Sequence, residues 1–301
     1  MEKVVKFLAA LTAITLALAF TACDSSDANT DSGNNTSSNL PASVGTNPFK
    51  GKTFEYFDKY SDSNYWYYKY TFSDDGNMIT YYEYDSHDDE EREHKYKCSV
   101  NAKEHTLSWQ YENYKEIMEE FEKAIPESLE HFEERWREEG SSDEKIAEKL
   151  KEWEEMMRKS AYLQYAKVYT FSYTYDSAKG TLDLVEVFDE QYTSFYYEKD
   201  GSNYSNFTIS WAGVNMYYNS ANIELSEYRT SLQFTSKSFD KDKKEIVFVN
   251  EDDEADTFTA TYRLIGSGNN TKLILSFRYN ERKFTQELDL SVREINLTEA
   301  K

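Results

Sequence analysis

From Phe54 to the end of the chain, apolar and polar positions alternate with a period of two, the mark of half-buried strands. Trp66, Tyr68, Tyr70 and Phe72 alternate with Tyr65, Tyr67, Lys69 and Thr71. Tyr96, Cys98 and Val100 alternate with Lys95, Lys97 and Ser99, and Leu107, Trp109 and Tyr111 with Thr106, Ser108 and Gln110. Tyr169, Phe171, Tyr173 and Tyr175 do the same, followed near the C-terminus by Phe258 to Leu264, Leu273 to Tyr279, and Phe284 to Leu290. An aromatic strand, a polar turn with Lys and a Leu, Ile or Val strand recur as KYKCSVNAKEHTLSW, YTFSYTYDSAKGTLDLV, LQFTSKSFDKDKKEIVFV and ATYRLIGSGNNTKLILSF. Their spacing is irregular, which suits an antiparallel meander rather than a solenoid.

One segment breaks this rhythm. Ile117, Phe121, Ile125, Leu129, Phe132 and Trp136 lie three or four apart, and Ile146, Leu150, Trp153 and Met157 repeat the pattern. Both stripes are helical. Pro126 is expected to kink the first helix or start a new one, and Gly140 suits the position just past its end. Ser141, with Glu144 three residues on, fits a capping box for the second helix. The expectation is an antiparallel helical hairpin at about 112–166, zipped on itself and packed by one side on the sheet. It serves as structural packing, or as a lid or partner-binding arm. The predicted fold is mainly β: one antiparallel meander β-barrel domain, residues 47–301, carrying this insertion.

Composition narrows the function. Lys and Arg number 34 against 56 Asp and Glu, a net charge of −22. That balance opposes nucleic-acid binding, which needs clustered cations on phosphates. Aromatic residues make up 16% of the chain, far from the composition of a disordered one.

The N-terminus carries a separate signal. Lys3 and Lys6 precede the apolar run Phe7 to Phe20, which is shorter than the ~20 residues of a spanning helix. Phe20-Thr21-Ala22-Cys23 follows, and resembles the lipobox of bacterial lipoproteins in the relaxed form found in spirochaetes. The resemblance implies a signal peptide at 1–22, a diacylglycerol on Cys23 and an anchor in a bacterial envelope membrane, in either the periplasmic or the outer surface leaflet. Two or three acyl chains hold stably where one does not. Residues 23–46 are rich in Ser, Asn, Asp and Thr and read as a flexible tether.

The stretch Asn47 to Phe54, followed by Tyr70-Thr71-Phe72-Ser73-Asp74-Asp75-Gly76, is similar to the opening of lipocalin-like barrels in spirochaete lipoproteins. Thr53 stands where lipocalins carry Trp, and Phe54 comes one place later. The resemblance implies a barrel with a cavity and brings no catalytic residues.

Candidate chemistry is sparse. The acidic runs Asp85–Glu93 and Glu251–Asp256 lack EF-hand spacing and read as solvated loops. Cys98 shares a face with Tyr96 and Val100 and reads as core. Gly266-Ser267-Gly268 lies between strands and reads as a hairpin turn. No catalytic residue, metal ligand or cofactor is assigned, and an envelope hydrolase is the least favoured reading. The aromatic residues carry the remaining signal. Trp66, Tyr68, Tyr70, Trp109, Tyr169 and Tyr173 are candidates to line a barrel cavity for a small apolar or amphipathic ligand. Tyr65 and Tyr67 fall on the opposite face and are candidates for surface contact with a protein or glycan. Tyr also suits any half-exposed strand.

Overall fold

The computed structural model describes residues 39–61, 64–198, 207–227 and 229–300. The leader, Cys23 and most of the tether lie outside them. Two closed barrels of eight antiparallel strands are present, where alternation alone suggested one. Sixteen short strands exceed what one side-chain-filled barrel of this width can hold, and the chain divides into two compact units accordingly.

The first unit holds β1 (Thr53–Ser61), β2 (Asn64–Phe72), β3 (Met78–Asp85), β4 (Glu90–Asn101), β5 (Thr106–Tyr111), β6 (Tyr169–Asp176), β7 (Thr181–Glu186) and the last strand, β16 (Glu294–Glu299). Neighbours pair in chain order, and β16 closes the barrel between β7 and β1. Leu297 pairs with Leu182 and is 2% exposed. Glu299 ties the seam further. Its carboxylate meets Lys52 Nζ at 2.6 Å and accepts from the Tyr175 hydroxyl at 3.2 Å. These contacts lower the Glu299 pKa, the Lys52 hydrogen bond most. Phe49, ahead of β1, is fully buried among Phe72, Tyr173 and Tyr175 at ring-centroid distances of 5.2, 5.0 and 5.5 Å. The tether ends earlier than residue 46: Val44 donates to Val100 and accepts from Ala102.

The second unit, Phe188–Val292, is an uninterrupted meander: β8 (Ser194–Glu198), β9 (Thr208–Asn215), β10 (Ser220–Glu227), β11 (Thr230–Asp240), β12 (Glu245–Asn250), β13 (Thr257–Ile265), β14 (Lys272–Tyr279) and β15 (Arg282–Ser291). β15 returns to β8 and closes it. Phe234, Phe248, Phe258 and Phe277 fill the interior, with Phe258 stacked on Phe248 and Phe277 at 5.1 and 4.6 Å.

Turns share one chemistry. Asn101, Asp176 and Asp240 each accept from the backbone amides two and three residues on. The fourth residue after each, His105, Gly180 or Lys244, has positive φ. The Asx side chain replaces a turn hydrogen bond while the left-handed residue redirects the chain. These are the turns of three of the four recurrent segments; the fourth turns through Gly266 to Asn270, as its glycines suggested.

The helical hairpin stands between β5 and β6, as its period indicated: α1 (Tyr114–Glu138), α2 (Asp143–Ala161) and a π-helical turn, Tyr162–Ala166. Pro126 lies inside one helix and starts no new one. Gly140 has φ +84°, and Ser141 and Gly140 donate back to Trp136 and Arg137, the reciprocal bonds of a Schellman end. The N-cap of α2 is Ser142 rather than Ser141, and its hydroxyl accepts from the Lys145 amide. A capping residue must stand next to the first helical residue, and the Schellman end uses Ser141. The two helices pack on each other through Phe132 and Trp153, ring centroids 4.5 Å apart. The π turn brings the hairpin to the barrel, where Tyr165 meets Tyr111 at 5.2 Å and Gln110 donates to Ala166.

Closure by β16 predicts that Leu297→Ala costs about 2–5 kcal/mol. Urea denaturation of the variant checks this; a loss under about 1 kcal/mol contradicts it.

Candidate functional site

Strand lengths decide where the first barrel stops. β1 pairs with β16 only at Phe54 and Glu55, and β4 pairs with β5 only from Tyr96 to Asn101. β1, β2, β3 and β4 nonetheless run on together, through Asp58, Trp66, Asp85 and Glu90. Past the closed barrel they form a four-stranded extension. Charged side chains line its margins: Asp58 on β1, and Glu90, Glu91, Arg92 and Glu93 on β4. Charge on a margin discourages edge-to-edge pairing.

The register lays out the face continuous with the barrel interior. Phe54, Tyr70, Tyr81 and His94 are opposite one another across the four strands. The next row outward is Tyr56, Tyr68, Glu83 and Arg92. The outermost is Asp58, Trp66, Asp85 and Glu90. A ladder of near-parallel rings crosses this face. Tyr56 to Tyr68 is 5.8 Å, Tyr68 to Tyr81 6.2 Å and Tyr81 to His94 6.1 Å, with interplanar angles of 11°, 20° and 12°. Its foot reaches Tyr111 through His94 at 5.4 Å, and Tyr70 and Tyr96 continue it into the core.

Electrostatics on the face follow burial and carboxylates. The Tyr68 phenol is pushed up to about 12, first by burial and then by Glu83, Asp58, Tyr56 and Asp85. Burial also raises Tyr81, whose hydroxyl donates to Glu83 at 2.9 Å. Both shifts favour the neutral phenol, and Tyr81 donates to Glu83 in that form. His94 is shifted down by burial, assisted by Arg92 and opposed by Glu83. Arg92 binds Glu90 and lies 3.9 Å from Glu83.

The proposed cavity residues divide. Trp109 and Tyr173 are 6% and 8% exposed and belong to the packed core, Trp109 stacked on Phe171 at 4.3 Å. Tyr169 is held by its hydroxyl on the Leu163 carbonyl at 2.6 Å, with the Arg293 guanidinium 4.7 Å from its ring centre. Tyr70 bridges the core to the ladder, whereas Trp66 and Tyr68 stand on the extension. An eight-stranded barrel is wide enough either to be filled by its own side chains or to hold one small ligand. Phe49, Phe54, Phe171, Leu182 and Leu184 occupy that space.

Tyr65 and Tyr67 lie on the other face of the extension, half-buried by Tyr84, Phe57 and Tyr82. Phe57 itself is 55% exposed. Tyr56, Phe57, Tyr81, Tyr82 and His94 were not singled out by sequence. The signal for the four aromatic residues was the doublets Tyr56-Phe57 and Tyr81-Tyr82, which repeat the two-faced pattern of Tyr65 to Tyr68; His94 had no such signal.

Other candidates are quieter. Cys98 is buried, with its thiol pushed up to about 12 by burial first and Asp75 second, so it is no nucleophile at neutral pH. Among the described residues no group of three or more His, Cys, Asp and Glu side chains is placed to hold a metal ion. A shallow groove of about 270 Å³ on the second barrel is lined by Lys243, Lys244, Arg263, Thr261 and Ser276. Lys243 is already bound to Asp240 at 2.6 Å.

No family model and no curated protein matches the chain. Among solved structures it is similar to a porin-like protein from Bacteroides uniformis ATCC 8492, at 12% identity and a TM-score of 0.17, over 84% of this chain and 100% of that one. An overlap that slight carries no argument about fold or role.

Because burial holds His94 neutral, the unfolded chain takes up its proton first as pH falls. Stability is therefore predicted to drop below about pH 6.5, the ordinary histidine value. His94→Phe should flatten that part of the profile in urea titrations, and an unchanged slope contradicts the assignment.

Proposed function

We propose that this protein is a lipid-anchored, non-enzymatic binding protein of a bacterial cell envelope, and that it binds through the aromatic extension of β1–β4. The observation that carries the reading is the ring ladder from Tyr56 to His94 on a sheet whose outer parts no further strand covers among the described residues. Aromatic side chains supply large contact area with few rotatable bonds, and they dominate binding surfaces for that reason. A small apolar ligand inside the first barrel is the second reading. It would have to displace the Phe49 and Phe171 rings from a filled interior, so the surface is favoured.

The anchor rests on the leader and the Phe20-Thr21-Ala22-Cys23 lipobox. Residues 24–43, read as a coil, give the body a reach of roughly 25 Å from the bilayer.

Two measurements test the proposal. The mature chain should partition into the detergent phase of Triton X-114 and incorporate palmitate, and Cys23→Ser should do neither. Immobilised protein should retain a component of envelope extract that a Tyr56→Ser/Tyr68→Ser chain releases. Aqueous partitioning of the parent chain contradicts the anchor. Equal retention by the two chains contradicts the surface.

A further inference from the structure

The outermost row of the extension violates a rule of sheet design. Asp58, Trp66, Asp85 and Glu90 stand directly opposite one another on one face. Opposed side chains have Cβ atoms only about 4.5–5.5 Å apart, and like charges there are destabilising. Arg92, one row inward, binds Glu90 and approaches Glu83. Its charge also reaches Asp85 at longer range, but it makes no ion pair with Asp58 or Asp85. Asp58 makes no ion pair among the described residues, and Asp85 only accepts from the backbone amide of His87 at 2.8 Å. The half-buried Trp66 indole is thus flanked on both sides by carboxylates that make no ion pair among the described residues.

An indole face is the strongest aromatic site for a cation, and nearby carboxylates add direct charge attraction. In the neighbouring row Tyr68 is opposite both Tyr56 and Glu83, and there Arg92 already lies 3.9 Å from Glu83. The acidic row and the Tyr56 and Tyr68 rings beside it lie along an open sheet instead of in one enclosing cage. That arrangement suits a chain of cations better than a single small ammonium ion. It repels a polyanion, and its unpaired carboxylates gain nothing from an apolar partner.

We propose that this face docks a basic polypeptide segment, whose Lys or Arg side chains lie over Trp66 and Tyr68 and pair with Asp58 and Asp85. The inference rests on the reading of the extension as the binding surface and names the partner's chemistry. The whole chain is acidic, so a cationic peptide adhering anywhere is the background to be separated.

The test is fluorescence anisotropy of a labelled oligolysine peptide titrated with the mature chain, with a neutral glucan oligosaccharide and oligoglutamate as comparison probes. Oligolysine should bind and weaken with added salt. Trp66→Ala should weaken it by about tenfold, the loss of one desolvated cation–ring contact. Asp58→Asn/Asp85→Asn should weaken it as much or more, while Glu119→Gln/Glu120→Gln on α1, with the same change in charge, should leave it unaltered. Asp85→Asn retains the oxygen that accepts from the His87 amide. Thermal melts of each variant exclude loss of folding. Equal weakening by the two charge-matched pairs, or none by Trp66→Ala, overturns the proposal, as does the absence of oligolysine binding. Glucan binding lost in Trp66→Ala would overturn the basic partner while sustaining the surface. If no probe binds, the extract retention described above still decides the surface independently.

Discussion

The length of β16 and of its neighbours is the constraint on which the first unit depends. A barrel exists only while each strand finds a partner on both sides, and an unpaired edge exposes a row of backbone donors and acceptors. β5, β7 and β16 are six residues each, against nine for β1 and β2 and twelve for β4. Closure therefore ends where the short strands end. The long ones continue as a sheet with charged margins, and their inward face emerges from the core carrying its aromatic residues with it. The chain makes this seam last. It leaves β7 at Glu186, builds all of the second barrel, and returns at Glu294.

Filling follows from closure. Both interiors are taken up by their own side chains, with Phe49 inserted into the first and a stack of phenylalanines through the second. The proposed binding is therefore assigned to the surfaces that closure leaves over. On the extension the residue types change row by row along the strands: apolar at Phe72 and Ile79, phenolic at Tyr70 and Tyr81, mixed at Tyr68 and Glu83, acidic around Trp66. The gradient from core to solvent is continuous. One set of cross-strand contacts therefore serves stability at one end and an exposed, charged aromatic face at the other.

Much of this was legible in the sequence. Period-two alternation located β2, β4 to β7 and β11 to β15, though not β3, β9, β10 or β16, and the switch to a helical period located the hairpin between β5 and β6. Each recurrent aromatic–turn–aliphatic segment became a real hairpin, because alternation, Asx turns and local pairing agree within a few residues. The number of barrels was not legible. It depends on β15 reaching β8, and on β16 reaching β7 and β1, pairings far apart in sequence with no local signature. The same limit governs the site. Trp109 and Trp66 look alike in an alternating strand, and only the register shows that one lies under the closed barrel and the other beyond it. His94 and Tyr81 join the ladder through cross-strand neighbours that no spacing along a single strand reveals. Ser142 took the cap from Ser141 for a more local reason, since the end of α1 had already used the first serine.

The central claim, that the first barrel closes around a filled core and leaves β1–β4 extending past it, is tested most directly by amide hydrogen exchange read along β4. Slow exchange from Tyr96 to Val100, where β5 pairs, and fast exchange at Glu91 and Glu93, on the open margin, is the result predicted. Uniform protection from Glu90 to Asn101 would contradict it, because a further partner would then cover the extension.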